Sequence, residues 1–461
     1  MNIKLTPILS LNKYIYSAAF ILSFISFLTA DIFFNPLIQI FKVSSLAICF
    51  VELFFLMLSI ILFFILIKKI LYSDRPLLAS YSPLTSSFKN VDDPLLMIRF
   101  FAFWGVIVTH CAMVFNVYKK LELPNTPWKF LLGGCAKSGM IIFFCMSGYL
   151  MGKAFFSKRY LSDSSGIKSF YANRVLRIVP LCYFAMFICT VFSCPECPDL
   201  LNHLSTLWRS LLFLYYGNTP GTGPIGAFWA LSVEMQYYIL APFIFILFGR
   251  FLNTKTRACI FMLIVLVLGL GSKYILFIMN ADWMSYRYKP LYANLDFFLV
   301  GFGINGLIEQ DRQNIQEPKG YKKNAAVAFI LCFLIYLIGS KGEVGLMANP
   351  IYIDAILLMS FFLIYNVELY KVKRKFITDE KTCLFHRINK KISKILQILG
   401  LLTYGLYVWH SPILETYNKM ISPNYTLFNY FVICAKGSLL VLILSIITYY
   451  IIERPSEKYK I

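Results

Sequence analysis

The stretch Arg99-Phe-Phe-Ala-Phe-Trp-Gly-Val-Ile-Val-Thr-His110 holds an arginine and a histidine eleven positions apart in an otherwise apolar run. An α-helix advances about 100° per residue, so eleven steps return to within roughly 20° of the starting face with a rise of about 16 Å. Both polar groups therefore occupy one face, Arg99 near one membrane edge and His110 near mid-depth. A charged group at the centre of a span costs about 2.5 kcal/mol or more unless it faces a protein interior or a wet cavity, so polar groups there mark candidate functional sites. Two readings stand side by side. In the structural one, Arg99 snorkels to the headgroups and His110 bonds a neighbouring helix. In the functional one, the two line a site.

The rest of the composition extends the membrane reading to the whole chain. Of 461 residues, 59% are apolar, 17% aromatic and only 15% charged, and this excludes a set of soluble domains. Apolar runs repeatedly reach spanning length. The formal charge of +21 is not a nucleic-acid signal, because Lys and Arg cluster between spans instead of forming one basic module. Most of the twelve cysteines lie inside apolar runs, where they act as small hydrophobes. Cys194-Pro-Glu-Cys197 stands in a polar loop, where a local disulfide and a pair of free thiols are both open.

Outward from the central stretch, the fold expected is an all-α polytopic bundle. Body spans are predicted at 95–118, 131–156, 178–193, 226–248, 257–278, 291–308, 325–339, 351–369, 395–414 and 427–452. Two further helices, at 14–30 and 43–67, precede them. A Ser-, Pro- and Asp-rich linker over 72–94 divides an N-terminal extension, 1–90, from the body, 91–461. The first run lacks a small-x-small cleavage site and is read as retained. Most of the 44 basic residues fall on the side of the N-terminus, notably in 153–177, 309–324 and 370–394. The expected topology is thus a multi-pass protein of the inner or plasma membrane with both termini cytosolic. No repeat with a period of 20–50 residues is found.

Several further motifs put polar groups in or beside these spans. Phe143-Phe-Cys-Met-Ser-Gly148 offers small residues for close helix approach, and Ser147 is read as packing. Arg174-Val-Leu-Arg177-Ile-Val-Pro180 puts two guanidiniums on one face at the entry to a span, a geometry suited to phosphate. Trp229-Ala-Leu-Ser-Val-Glu-Met-Gln236 contributes Trp229, Ser232 and a membrane carboxylate, Glu234. Tyr404-Gly-Leu-Tyr-Val-Trp-His410 sets a second histidine at the outer edge, and Glu453-Arg-Pro455 closes the last span. Asp296 is a further buried acid. Each alone has an ordinary structural reading.

Taken together and in this order, the motifs resemble the acyltransferase 3 family over about residues 95–455. The resemblance implies a ten-helix acyltransferase body, here carrying two extra N-terminal transmembrane helices. It also implies transfer of an acyl group from cytosolic acyl-CoA, acetyl-CoA as first choice, to a sugar hydroxyl of a surface glycan such as lipopolysaccharide, capsule or exopolysaccharide. Acyl-CoA is then a substrate, with no bound cofactor and no metal. Carried onto this sequence, His110 matches the catalytic histidine, Arg99 its paired arginine and Glu453 the terminal acid. Arg174 and Arg177 match the pair facing CoA. Trp229, Ser232, Glu234 and His410 remain substrate-side candidates. The implied partners are membrane lipids, the glycan or glycolipid acceptor and glycan-assembly proteins, with no nucleic acid.

Two departures stand out. Ile141 occupies a region where the family usually has an acid. Many members also carry a C-terminal esterase-like domain, whereas this sequence ends at Ile461 and implies transfer completed in the membrane domain or by a separate partner. The chemistry needs a base of near-neutral pKa, for which histidine is the usual choice, acting directly or as an acyl carrier. A transporter or flippase and a non-catalytic scaffold are the competing classes. The missing internal repeat weighs against the first.

Overall fold

The computed structural model describes residues 93–114, 135–193, 209–214, 226–313, 350–374, 384–419 and 427–457, with 327, 330 and 331. The two leading helices, the linker, the Cys194/Cys197 loop and most of the span expected at 325–339 lie outside the described residues. Most of the described residues are helical, with no strand among them.

In chain order the main helices are α1 (Leu95–Val114), α2 (Cys135–Phe156), α3 (Ser164–Ser193), α4 (Phe228–Phe248) and α5 (Lys255–Ile278). They are followed by α6 (Leu295–Gln313), α7 (Pro350–Arg374), α8 (Leu384–Leu401), α9 (Thr403–Lys419) and α10 (Leu427–Thr448). Among the described residues six helices are long and apolar enough to cross a membrane: α2, α3, α4, α5, α7 and the run Cys434–Ser456. The bent pair α8–α9 would make a seventh. The apolar part of α1, Leu95–Cys111, is shorter, and α6 covers the expected sixth body span without being one of the six. The chain is a multi-pass helical membrane protein.

Two expected spans differ in detail. The span predicted from residue 178 is the second half of α3, which begins at Ser164, so Arg174 and Arg177 lie well inside a helix. The span predicted at 395–414 is broken: Ile392–Leu401 and Thr403–Glu415 meet at 67°.

The chain divides into two compact units. The smaller contains Ile178–Leu212, within which Tyr183 Oη donates to the Leu211 carbonyl at 2.7 Å. The larger contains Ser87–Arg177 and Ala227–Ile461, and holds nearly all the candidate residues.

Inside the larger unit, α1 and α2 run antiparallel, with Thr109 opposite Ala136 and Ala102 opposite Gly139. Thr109 Oγ1 accepts from the Ala136 N–H at 3.0 Å and so satisfies one of the unpaired donors at the start of α2. α2 also lies against α6 so closely that a Cβ at Gly148 would strike the Phe298 carbonyl, and one at Gly301 the Cys145 carbonyl. Small residues are what allow such approach between membrane helices. Gly301→Val is expected to destabilise the protein by about 1–3 kcal/mol through overpacking. A lowered melting temperature in detergent checks this.

Charges are also buried here. Lys273 of α5 pairs with Asp296 of α6 and, at 2.8 Å, with Asp354 of α7, and all three are less than a tenth exposed. Asp296, the acid singled out in the sequence, thus has its cation on another helix. At one end of the unit Glu368 of α7 is fully buried between Lys153 of α2, at 3.0 Å, and Lys371, at 2.7 Å. Lys371 also reaches Asp93 beside the start of α1.

Candidate active site

α1 and α9 bring the two membrane histidines together. His110 Nδ1 lies 3.1 Å from His410 Nε2, and His410 Nδ1 lies 2.6 Å from the backbone carbonyl of Tyr407, one turn earlier on α9. A carbonyl only accepts, so His410 Nδ1 carries a hydrogen and donates it. In a neutral ring His410 Nε2 then holds a lone pair, and His110 Nδ1 must supply the hydrogen of the 3.1 Å bond. This leaves His110 Nε2 unprotonated. The pair is fixed by Phe103, whose ring meets His410 edge-on at 5.9 Å, and by complete burial of His410. His410, expected at an outer edge on the substrate side, lies beside His110 in this arrangement.

About 16 Å along α1 from His110 stands Arg99. The groups acting on it electrostatically are the charged Arg177, Glu234 and Glu453 and the phenol of Tyr238. Glu234 of α4 is gripped through one oxygen: Ser147 Oγ of α2 donates to it at 2.6 Å, and Tyr238 Oη, one turn along α4, donates to the same atom. Arg174 is buried with its guanidinium carbon 5.6 Å from the Phe170 ring centre and 5.7 Å from that of Tyr238. Its Nε makes no hydrogen bond. Three guanidiniums and two carboxylates therefore gather where α1, α2, α3 and α4 meet the end of the last helix, with one formal positive charge in excess. That surplus, in a site of low dielectric, suits an anionic group.

Glu453 reaches this cluster by an unusual backbone. After α10 the chain makes a π-helical turn, Tyr449–Glu453, before Arg454–Glu457 continues as α-helix. The wider turn brings Glu453 Oε1 to within 3.1 Å of where a Cβ on Gly405 would stand, so Gly405 makes room for the carboxylate.

The other substrate-side candidates are Trp229 and Ser232. Trp229 packs on Phe144 and, at 4.7 Å between ring centres, on Tyr288. Ser232 is fully buried, with an Oγ that makes no hydrogen bond. Sequence reasoning missed Ser147, Tyr238 and Thr109. Only Tyr238 left a trace, standing four residues from Glu234 and so on the same helical face.

Comparison with known proteins agrees with this arrangement of motifs. The family model for an acyltransferase domain, that of the acyltransferase 3 family, matches residues 95–450. The peptidoglycan O-acetyltransferase OatA of Listeria monocytogenes is 25% identical over 306 residues, 60% of this chain and 45% of the relative. The O-acetyltransferase OatA of Staphylococcus aureus is 24% identical over 383 residues, 78% of this chain and 56% of the relative. The chain spans about half the length of the curated relatives it matches. No solved structure matches. The family match takes in most of the chain, including His110, the three arginines, Glu234 and His410, and the chain belongs to the acyltransferase 3 family.

Proposed function

We propose that the protein is a membrane O-acyltransferase that takes an acetyl group from acetyl-CoA and delivers it to a sugar hydroxyl of a peptidoglycan-type glycan. The observation that carries this reading is the histidine pair, because it fixes a tautomer that leaves His110 Nε2 free. Both chemical routes use that nitrogen. As a base it takes the proton of the sugar hydroxyl while the oxygen attacks the thioester carbon and CoA leaves as thiolate. As a nucleophile it attacks the thioester and expels CoA as thiolate, then passes the acyl group to the sugar oxygen, whose proton goes to the thiolate or to solvent as the ring recovers its lone pair. The acceptor class rests on the names of the relatives, which narrow the broader range of surface glycans expected from the motifs.

The arginine cluster supports a polyanionic donor. With the diphosphate near Arg174 and Arg177, the pantetheine arm must cover the roughly 16 Å between the arginine and histidine levels of α1. Arg99, placed by the charges of Glu234 and Glu453, neutralises charge on the donor as it passes. The excess of basic residues on the side of Arg99 supports that end as cytosolic.

The test uses the full chain in liposomes, radiolabelled acetyl-CoA and purified glycan strands. Label on the glycan supports the proposal, and label recovered on the protein selects the acyl-histidine route. If no label moves with acetyl-CoA or other acyl-CoAs, the reading is overturned and glycolipid flux becomes the assay for a carrier. Arg174→Ala is expected to raise KM for acetyl-CoA by about 10- to 100-fold, the worth of a charged hydrogen bond, with little change in kcat. Steady-state kinetics in the same liposomes measure the split.

A further inference from the structure

The sequence places residues 384–394 in a basic loop, but they form the first part of α8, and this helix is amphipathic in an unusual sense. Its polar side grips the protein. Gln397 Oε1 accepts from the Asp93 N–H at 2.8 Å, just before α1. Gln397 Nε2 donates to Ser393 Oγ at 3.0 Å, and Ser393 Oγ meets Met97 Sδ at 3.4 Å. Gly400 lies so close to the Leu96 carbonyl that any Cβ there would collide with it.

The apolar side faces away. Ile392 is 51% and Ile395 57% exposed, and they stand three residues apart on one face. Lys394, between them in sequence, is exposed as well. Among the eighteen residues of α8 are Arg387, Lys390, Lys391 and Lys394, and no acid. The helix then turns by 67° into α9 and does not continue across the membrane in a straight line.

Exposed isoleucines on one side, a helix sequence with four Lys and Arg residues and no acid, and a sharp bend into the next helix describe a segment lying in the plane of a bilayer surface. We infer that α8 is a membrane-surface helix that binds anionic lipid headgroups, and that through Gln397, Ser393 and Gly400 it sets the position of the start of α1. Charge complementarity selects the lipid: each basic residue near an anionic surface is worth about fivefold in binding, and α8 has no carboxylate to offset it. The lever is short. Asp93, Leu96 and Met97 are the residues held, and Arg99 follows within one turn of the same helix. The inference rests on the membrane fold and does not require the catalytic proposal.

The test is amide hydrogen exchange of the full chain in nanodiscs of phosphatidylcholine alone and of phosphatidylcholine with one-third phosphatidylglycerol. Exchange over 384–401 is expected to slow by about fivefold or more with the anionic lipid, and exchange over 93–99 to slow with it. The difference should shrink at high salt, which screens a surface interaction. The triple variant Lys390→Gln/Lys391→Gln/Lys394→Gln should lose both lipid effects. Gln397→Leu should keep the effect over 384–401 and lose it over 93–99.

Equal exchange of α8 in the two nanodiscs, or a lipid effect that survives the triple variant, overturns the lipid site. A response of α8 with none in α1 overturns the coupling. Because this readout needs no turnover, failure of acetyl transfer in the same nanodiscs counts against the proposed function alone.

Discussion

Replacing His110 with alanine is expected to lower acyl transfer by about 10⁴-fold while the protein remains folded and inserted. The size of the loss follows from the geometry. His110 Nε2 is the nitrogen left unprotonated by the chain of bonds running from the Tyr407 carbonyl through His410, and alanine has nothing to put there. Folding should survive because α1 remains held by Thr109 at α2 and by Gln397 at α8, neither of which involves the imidazole.

His410→Ala is the informative companion. It leaves His110 in place but removes the acceptor for its Nδ1 hydrogen, so the ring is free to turn and to exchange tautomers. A loss of up to about 10⁴-fold is expected, by analogy with other catalytic histidines deprived of an orienting group. His410→Gln, whose carbonyl oxygen can accept the same hydrogen, should recover part of it. The measurement is turnover of radiolabelled acetyl-CoA in liposomes, with size-exclusion profiles as the control for folding. A His110→Ala protein with wild-type turnover would sink the mechanism.

The largest effect on stability is expected from Lys273→Met, a loss of about 3–5 kcal/mol. Lys273 is the cation to which both Asp296 and Asp354 are bonded. Its removal leaves two buried carboxylates on neighbouring helices without their shared cation, and breaking a buried ion pair from one side costs far more than never having built it. Methionine fills similar volume, so lost packing contributes little. The triple variant Lys273→Met/Asp296→Asn/Asp354→Asn removes the charges together and should regain most of the stability. Thermal unfolding in detergent, followed by tryptophan fluorescence, separates the two. If Lys273→Met melts with the wild type, the three side chains are not the clamp between α5, α6 and α7.

Much of the architecture was legible in the sequence because membrane helices announce themselves as long apolar runs. α2, α4, α5 and α7 coincide closely with predicted spans. The helical period also put Arg99 and His110 on one face correctly, since that relation is internal to a single helix. Relations between helices were not legible. His110 and His410 are 300 positions apart, and nothing in either local sequence says that α9 turns its histidine toward α1. Ser147 looked like a packing residue because its neighbour Gly148 is one, yet the adjacent position on α2 faces Glu234 instead of Phe298. Lys273 stands in an apolar run and was overlooked for want of a visible partner, which two other helices supply. The bend at Leu402 was missed because the run there carries neither proline nor a strongly polar break.

The π-helical turn at Tyr449–Glu453 makes the end of the last helix a segment that counts its residues. Glu453 points toward Gly405 because one residue more than an α-helix needs is wound into that turn. Loss of any one residue between 449 and 452 would let the turn relax to α-helix and swing the carboxylate by about 100°. Side chains within the turn are therefore open to exchange, whereas its length is not. Across divergent relatives, the closing acid should keep its distance from the preceding helix more faithfully than the residues that fill that distance keep their identity.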